Sequence, residues 1–323
     1  MKTPLSSLRF LIGALLLAAS PVHAQSKIVA YVPNWIDLKT FAPQIDYAKL
    51  THLNIAFENP KDAKGTLSFH SDNEQLITEA HAHGVKILVS IGGGTASENK
   101  DMRARYFALI SPAKRAKFVA QIVAYVSAHD FDGLDVDLEG PAINRHYGAF
   151  IQDLAAALQP QHKLLTAALS QGYGGKNVPA AALAHFDFVN VMAYDATGPW
   201  QPKSPGQHSS LEFAQNNVDY WLQRGLPKAQ LVLGIPFYGW GFGKAFRQKE
   251  YSYAELLKQH PAAAGVDEIG ETVWYNGVPT VQAKAALVLE QGLGGVMIWA
   301  LDSDAKGRHS LLSVLHEALK SGK

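Results

Sequence analysis

The chain of 323 residues contains no cysteine. Disulfides, thiolate metal sites and a lipid anchor on cysteine are therefore excluded. Neither charge sign is in excess: 29 lysine and arginine residues stand against 28 acidic ones. Such a balance lacks the basic footprint that nucleic-acid binding needs, so no nucleic-acid partner is expected. No apolar run reaches the roughly 20 residues of a spanning helix. No internal repeat, low-complexity tract or charged linker marks a second domain.

What is present begins with a leader. Lys2 and Arg9 precede the short apolar run "FLIGALLLAAS", and "PVHA" follows with small Ala24 at its end. This order reads as a secretory signal peptide over residues 1–24, cut after Ala24. Loss of Lys2 and Arg9 leaves 27 basic against 28 acidic residues, a net charge of −1. The expectation is a bacterial protein, secreted or periplasmic, monomeric and free of the membrane once cut. The remaining residues, 25–323, form one domain in this reading: with 47% hydrophobic residues they can bury a large core, and α/β barrels of this length fold as one unit.

Eight short β-rich runs recur, most of them followed by helical patterns: 27–35, 52–59, 86–93, 133–139, 163–170, 186–195, 230–239 and 294–302. Helix-like stretches include 111–129, where Ser111 and Pro112 suit an N-cap and first turn, and 210–226, closed by "RGLP". Near-continuous apolar strands alternating with helices imply a parallel sheet covered by helices. Eight strands suggest a closed (β/α)8 TIM barrel, although an open doubly wound sheet gives a similar count. The widest gap, 240–293, allows at most a small insertion between strands seven and eight, and "DEIGETVWYNG" within it suits a hairpin.

In a barrel the strand C-termini carry the chemistry, and there the unusual residues collect. Glu139 falls at the end of strand four, Tyr194 and Asp195 at the end of strand six, Trp299 late in strand eight, and Ser90, Gly92 and Gly93 at the end of strand three. The run "DGLDVDLEG" (132–140) alternates with the strand period. Asp135, Asp137 and Glu139 would share one face, ~6.6 Å apart at a rise of about 3.3 Å per residue. Carboxylates so close cannot all ionise cheaply, so at least one pKa should rise.

Duller readings of these residues fare worse. An EF-hand loop starting at Asp135 would need a bidentate Glu at its twelfth position, where His146 stands. A solvated acidic face conflicts with the two-sided burial of parallel strands. "SIGGGTAS" (90–97) has neither the third glycine of a dinucleotide fingerprint nor a Walker lysine. Its glycines instead let the backbone turn tightly under something else. His81 and His83 are two apart and do not share a helical face; they suit a helix C-terminus stopped by Gly84. Trp200 and the aromatics of "FYGWGFGKAF" (237–246) fit either a plugged barrel rim or a sugar-binding cleft.

"DGLDVDLE" fills every position of the D-G-x-D-x-D-x-E signature and resembles glycoside hydrolase family 18, the chitinase family. "SIGG" (90–93) is similar to that family's S-x-G-G, "MAYD" (192–195) to its M-x-Y-D, and "AYDATGPW", "GIPFYG" and "GGVMIWALD" extend the match over about residues 27–304. The resemblance implies a retaining reaction in which the substrate supplies the nucleophile, an exception to the two-carboxylate scheme. Glu139 would be the general acid. Asp137 would hold the acetamido N–H of the −1 sugar, Asp135 would share a proton with Asp137, and Tyr194 would bond the acetamido carbonyl. Trp299 would be the floor and Tyr31 and Phe57 the wall. Ser90, Gly92, Gly93, Met192, Asp195, Trp200 and Tyr238 complete the substrate side. No cofactor and no metal is implied.

Two positions depart from the family pattern. Gly94 follows S-x-G-G where the family often has Trp, and Trp240 follows "FYG" where it often has Arg. The short insertion implies a shallow cleft. Chitin or its oligosaccharides are the first substrate reading; peptidoglycan and the chitobiose core of N-glycans carry the same acetamido sugar. A non-cutting lectin on the same barrel would have no need of Glu139.

Overall fold

The structure, a computed structural model, describes residues 26–321. The leader expected at 1–24 lies outside the described residues. Eight parallel strands form the centre: β1 (Lys27–Pro33), β2 (His52–Ala56), β3 (Lys86–Gly92), β4 (Gly133–Asp137), β5 (Leu164–Leu169), β6 (Phe188–Val191), β7 (Leu231–Pro236) and β8 (Gly295–Trp299). The sheet closes because β1 pairs with both β2 and β8. The open doubly wound alternative is thereby excluded, and all eight expected runs contain a strand.

Strand alternation sorts side chains into two cores. From β4, Leu134 and Val136 face outward into the large apolar layer beneath the helices. A smaller cluster that includes Val29, Tyr31, Phe188, Val232 and Met297 fills the barrel interior. Asp135 and Asp137, on the opposite face of β4 from Leu134 and Val136, therefore point into the barrel. Helices such as Arg115–Ala128, Tyr147–Leu158, Leu211–Gln223 and Val278–Gln291 cover the outside. Among the described residues no helix is long and apolar enough to cross a membrane.

Several local expectations are met and others are corrected. Ser210 caps Leu211–Gln223 by accepting from the Phe213 N–H. Ser111 does not cap: its hydroxyl is taken by the Ala108 carbonyl (2.6 Å), and the helix starts at Arg115. His81 and His83 do lie at the end of helix Asn73–Ala82, before Gly84 at φ +71°. Strand four ends at Asp137, two residues before Glu139. Strand six ends at Val191, so Met192, Tyr194 and Asp195 sit on the following loop.

Between β7 and β8 the expected hairpin exists. Glu268–Ile269 pairs antiparallel with Val273–Trp274. Gly270 and Glu271 both take positive φ (58° and 53°), as in the tight turns that match strand twist. The hairpin joins Tyr238–Gly241 and Tyr251–Ser252 in a four-stranded sheet. The run drawn as one strand over 230–239 is thus two: β7 stops at Pro236, and Tyr238 begins the rim sheet.

Candidate active site

The site is built around Asp135, fully buried in the barrel. Register sets Ser90 and Thr166 beside it on β3 and β5. Its Oδ2 accepts from the Tyr31 hydroxyl (2.8 Å) and the Ser90 hydroxyl (2.7 Å). Its Oδ1 accepts from Thr166 (2.6 Å) and from Asn190 Nδ2 (3.3 Å). Burial pushes the Asp135 carboxyl up, and these four donors pull against that shift.

Asp137, the next inward residue, is in a different state. Its Oδ1 is buried without a hydrogen-bond partner among the described residues. Burial, then the charges of Glu139 and Asp135, hold its carboxyl well above the usual carboxylate range. Four donors favour charge on Asp135, so of this pair Asp137 keeps the proton. Glu139 continues the alternation with extended backbone (φ −121°, ψ 164°) and reaches the barrel mouth, where it is half-buried. Burial, then Asp195 and Glu98, raise its carboxyl to about 7. The expected row exists, and its three members have three environments.

On the loop after β6, Tyr194 is buried against Met297 and edge-on to Tyr238. Burial, followed by the Asp137 charge, raises the Tyr194 phenol well above its ordinary value, so it remains a donor. Asp195 turns the chain with φ +63°. Its Oδ1 accepts from the Tyr238 hydroxyl (2.7 Å) and from Trp240 Nε1 (2.8 Å). The loop is tied from behind. The Ser209 hydroxyl donates to the Ala193 carbonyl (2.6 Å), and buried Lys284 donates to Ser209 and Asn276.

Aromatic rings stack at the mouth. Trp299 lies nearly parallel to Phe57 (5.8 Å, 22°) and tilted against Tyr31 (5.4 Å). Phe57 is stacked in turn by Trp35, which is 64% exposed. Gly93 permits this arrangement, since a Cβ there would come within 2.4 Å of the Phe57 ring. At Gly92, φ +111°, a Cβ would stand 2.2 Å from the Asp137 carbonyl oxygen. These two glycines make no phosphate cradle; they let the chain approach Phe57 and Asp137.

The residues expected on the substrate side divide by burial. Phe57, Trp299, Asp195 and Trp200 reach the mouth. Ser90, Tyr31 and Tyr238 are buried and donate to Asp135 or Asp195, so they hold carboxylates in place, while Tyr31 also packs against Trp299 and Tyr238 against Tyr194. Met192, also buried, belongs to the inner barrel cluster. Trp200 is 53% exposed and edge-on to Trp240 (5.4 Å, 85°), so it stands at the rim and does not plug it. Thr166, Asn190 and Lys284 complete the site without having been expected in it, and Trp240 joins them from among the aromatics of 237–246. Thr166 and Asn190 carry a readable signal: each is a lone polar residue in a strand buried on both faces. Trp240 is visible as one of the aromatics of 237–246 and as a departure from the Arg pattern, and nothing in the sequence around Lys284 marks it.

Over residues 27–304 the sequence matches the family described as Glycosyl hydrolases family 18. The chain is similar to the GH18 chitinase ChiB from the chitin utilization locus of Flavobacterium johnsoniae. That crystal structure superposes with TM-score 0.85 at 37% identity, covering 92% of this chain and 94% of that one. Chitotriosidase-1 of Mus musculus is 28% identical over 361 residues, 90% of this chain and 76% of that protein. Probable chitinase 10 of Drosophila melanogaster is 27% identical over 358 residues; 89% of this chain aligns and spans 16% of that protein.

Proposed function

This chain belongs to glycosyl hydrolases family 18 and is a glycoside hydrolase, and we propose that it cleaves β-1,4-linked N-acetylglucosamine chains, chitin or its oligosaccharides, with the substrate's own acetamido oxygen as nucleophile. The observation that carries this reading is the graded set of carboxyls on one strand face: Asp135 saturated by donors, Asp137 buried with a free oxygen, Glu139 at the mouth with a carboxyl raised to about 7. Glu139 gives its proton to the glycosidic oxygen as the bond to C1 breaks. The acetamido oxygen forms the new bond to C1, giving an oxazolinium ion. Asp137 Oδ1 accepts the acetamido N–H, and Tyr194 donates to the acetamido oxygen. Asp135 keeps negative charge behind the cation as it develops. The Glu139 carboxylate then takes a proton from water, which attacks C1 from the face the leaving group left as the bond between C1 and the acetamido oxygen breaks and the acetamide is restored.

Chitin is the polymer favoured by the relatives named as chitinases and by the stacked floor of Trp299 and Phe57, which suits the apolar face of a pyranose. Peptidoglycan and N-glycan chitobiose share the required sugar. Product analysis on chitin oligomers, peptidoglycan and a high-mannose glycopeptide in parallel tests the choice; turnover of either alternative but not of chitin oligomers would replace it. The basic, apolar and small-residue order of residues 1–24 supports export.

Two expected results arise directly. The acid must be protonated, and the protonated fraction of Glu139 falls as pH rises through about 7. kcat/KM should therefore decline above pH 7, approaching about tenfold per unit. A profile flat from pH 6 to 9 would place the proton donor elsewhere. Trp299→Ala should raise KM and lower kcat, with kcat/KM down by roughly tenfold or more, because a floor touches both ground state and transition state. Unchanged constants would assign Trp299 to barrel packing alone.

A further inference from the structure

We propose that Tyr173, on the loop after β5, is the platform for the sugar that departs with the cleaved bond, an aromatic pyranose subsite that rests on the hydrolase reading above. β4 lies opposite β8 in the ring of eight strands. The acid after β4 thus faces the Trp299 floor across the mouth, and a sugar on the far side of the acid needs a surface of its own. The strand-three loop offers none, because β3 runs straight into the helix Gly93–Glu98, "GGTASE", which has no aromatic residue.

Tyr173 fills that place through two glycines. Gly140 directly follows Glu139, with φ +49°, and a Cβ on it would come within 2.3 Å of the phenol end of the Tyr173 ring. The ring therefore occupies the volume that a side chain next to the acid would take. Gly174, φ +92°, allows the loop this close, since its Cβ would stand 2.6 Å from the Gly140 nitrogen. The backbone is fixed at both ends of the residue. Tyr173 N–H donates to Ser170 Oγ (3.2 Å), and its carbonyl accepts from Gly140 N–H (3.1 Å). The side chain nonetheless remains 45% exposed. A fixed aromatic face beside the proton donor binds a pyranose with little ordering cost.

Two substrates separate this role from a structural one. Chitotetraose places sugars on both sides of the scissile bond, whereas β-chitobiosyl fluoride has no sugar on the leaving side. For Tyr173→Ala, the loss of kcat/KM on chitotetraose should exceed the loss on the fluoride by roughly tenfold or more. Tyr173→Phe, which keeps the ring, should hold the wild-type ratio between the two substrates. Equal losses on both would show that Tyr173 acts only by supporting Gly140 and Glu139, and no loss on either would make it a bystander; both results overturn the proposal. Wild-type protein that turns over neither substrate would instead remove the chitin-cleaving reading, and the subsite with it.

Discussion

Glu139→Gln should lower kcat on chitotetraose by about 10²- to 10⁴-fold, the usual cost of losing a positioned proton donor. Glutamine has nearly the same shape, and the side chain sits half-buried at the mouth. The change also removes one of the like charges acting on Asp137. Fold and oligosaccharide affinity should therefore survive, and calorimetric titration with chitotetraose would verify both. Good leaving groups need little protonation, so β-chitobiosyl fluoride should lose far less than chitotetraose. Turnover of chitotetraose within a few-fold of wild type would sink the assignment of Glu139. Loss of binding together with activity would point instead to collapse of the mouth.

Much of this site is legible in the order of residues because burial on both faces constrains a parallel strand so strongly. Asp135 and Asp137 stand out in β4 because Leu134 and Val136 mark the other face. The eight strands are legible for the same reason, as apolar runs. Their ends are not. β6 stops at Val191 and the chain turns at Asp195 with φ +63°, a feature no apolar pattern encodes. Ser111 misleads because the carbonyl that takes its hydroxyl belongs to the preceding helix, Lys100–Leu109. The donors that separate Asp135 from Asp137 come from four strands, and only the closed barrel brings Tyr31, Ser90, Thr166 and Asn190 to one carboxylate. Trp240 is legible as a departure from the family's Arg, but its function is not. Its indole N–H gives Asp195 a neutral donor, and its ring meets Trp200 at the rim.

Removing the acetyl group from the −1 sugar should abolish cleavage almost completely. Well-oriented intramolecular attack can be worth roughly 7–11 kcal/mol, and the three carboxyls of the row are poor replacements for the lost oxygen. In the proposed reaction Glu139 serves as the acid, Asp137 lies two residues behind it on the same face, and both oxygens of Asp135 are engaged. Fully deacetylated oligomers and cellotetraose should resist the enzyme, while a thiazoline mimic of the oxazolinium ion should inhibit it. Rates on cellotetraose comparable to those on chitotetraose would remove the roles given to Asp137 and Tyr194.

The stereochemistry of the first product tests the substrate-assisted reaction most directly. Proton NMR of chitotetraose, followed through the first few per cent of conversion and faster than mutarotation, reads the anomer as it is released. Attack by the acetamido oxygen and then by water from the opposite face predicts β-anomer at the new reducing end. Initial release of the α-anomer would mean that water attacks C1 directly, and would contradict the account.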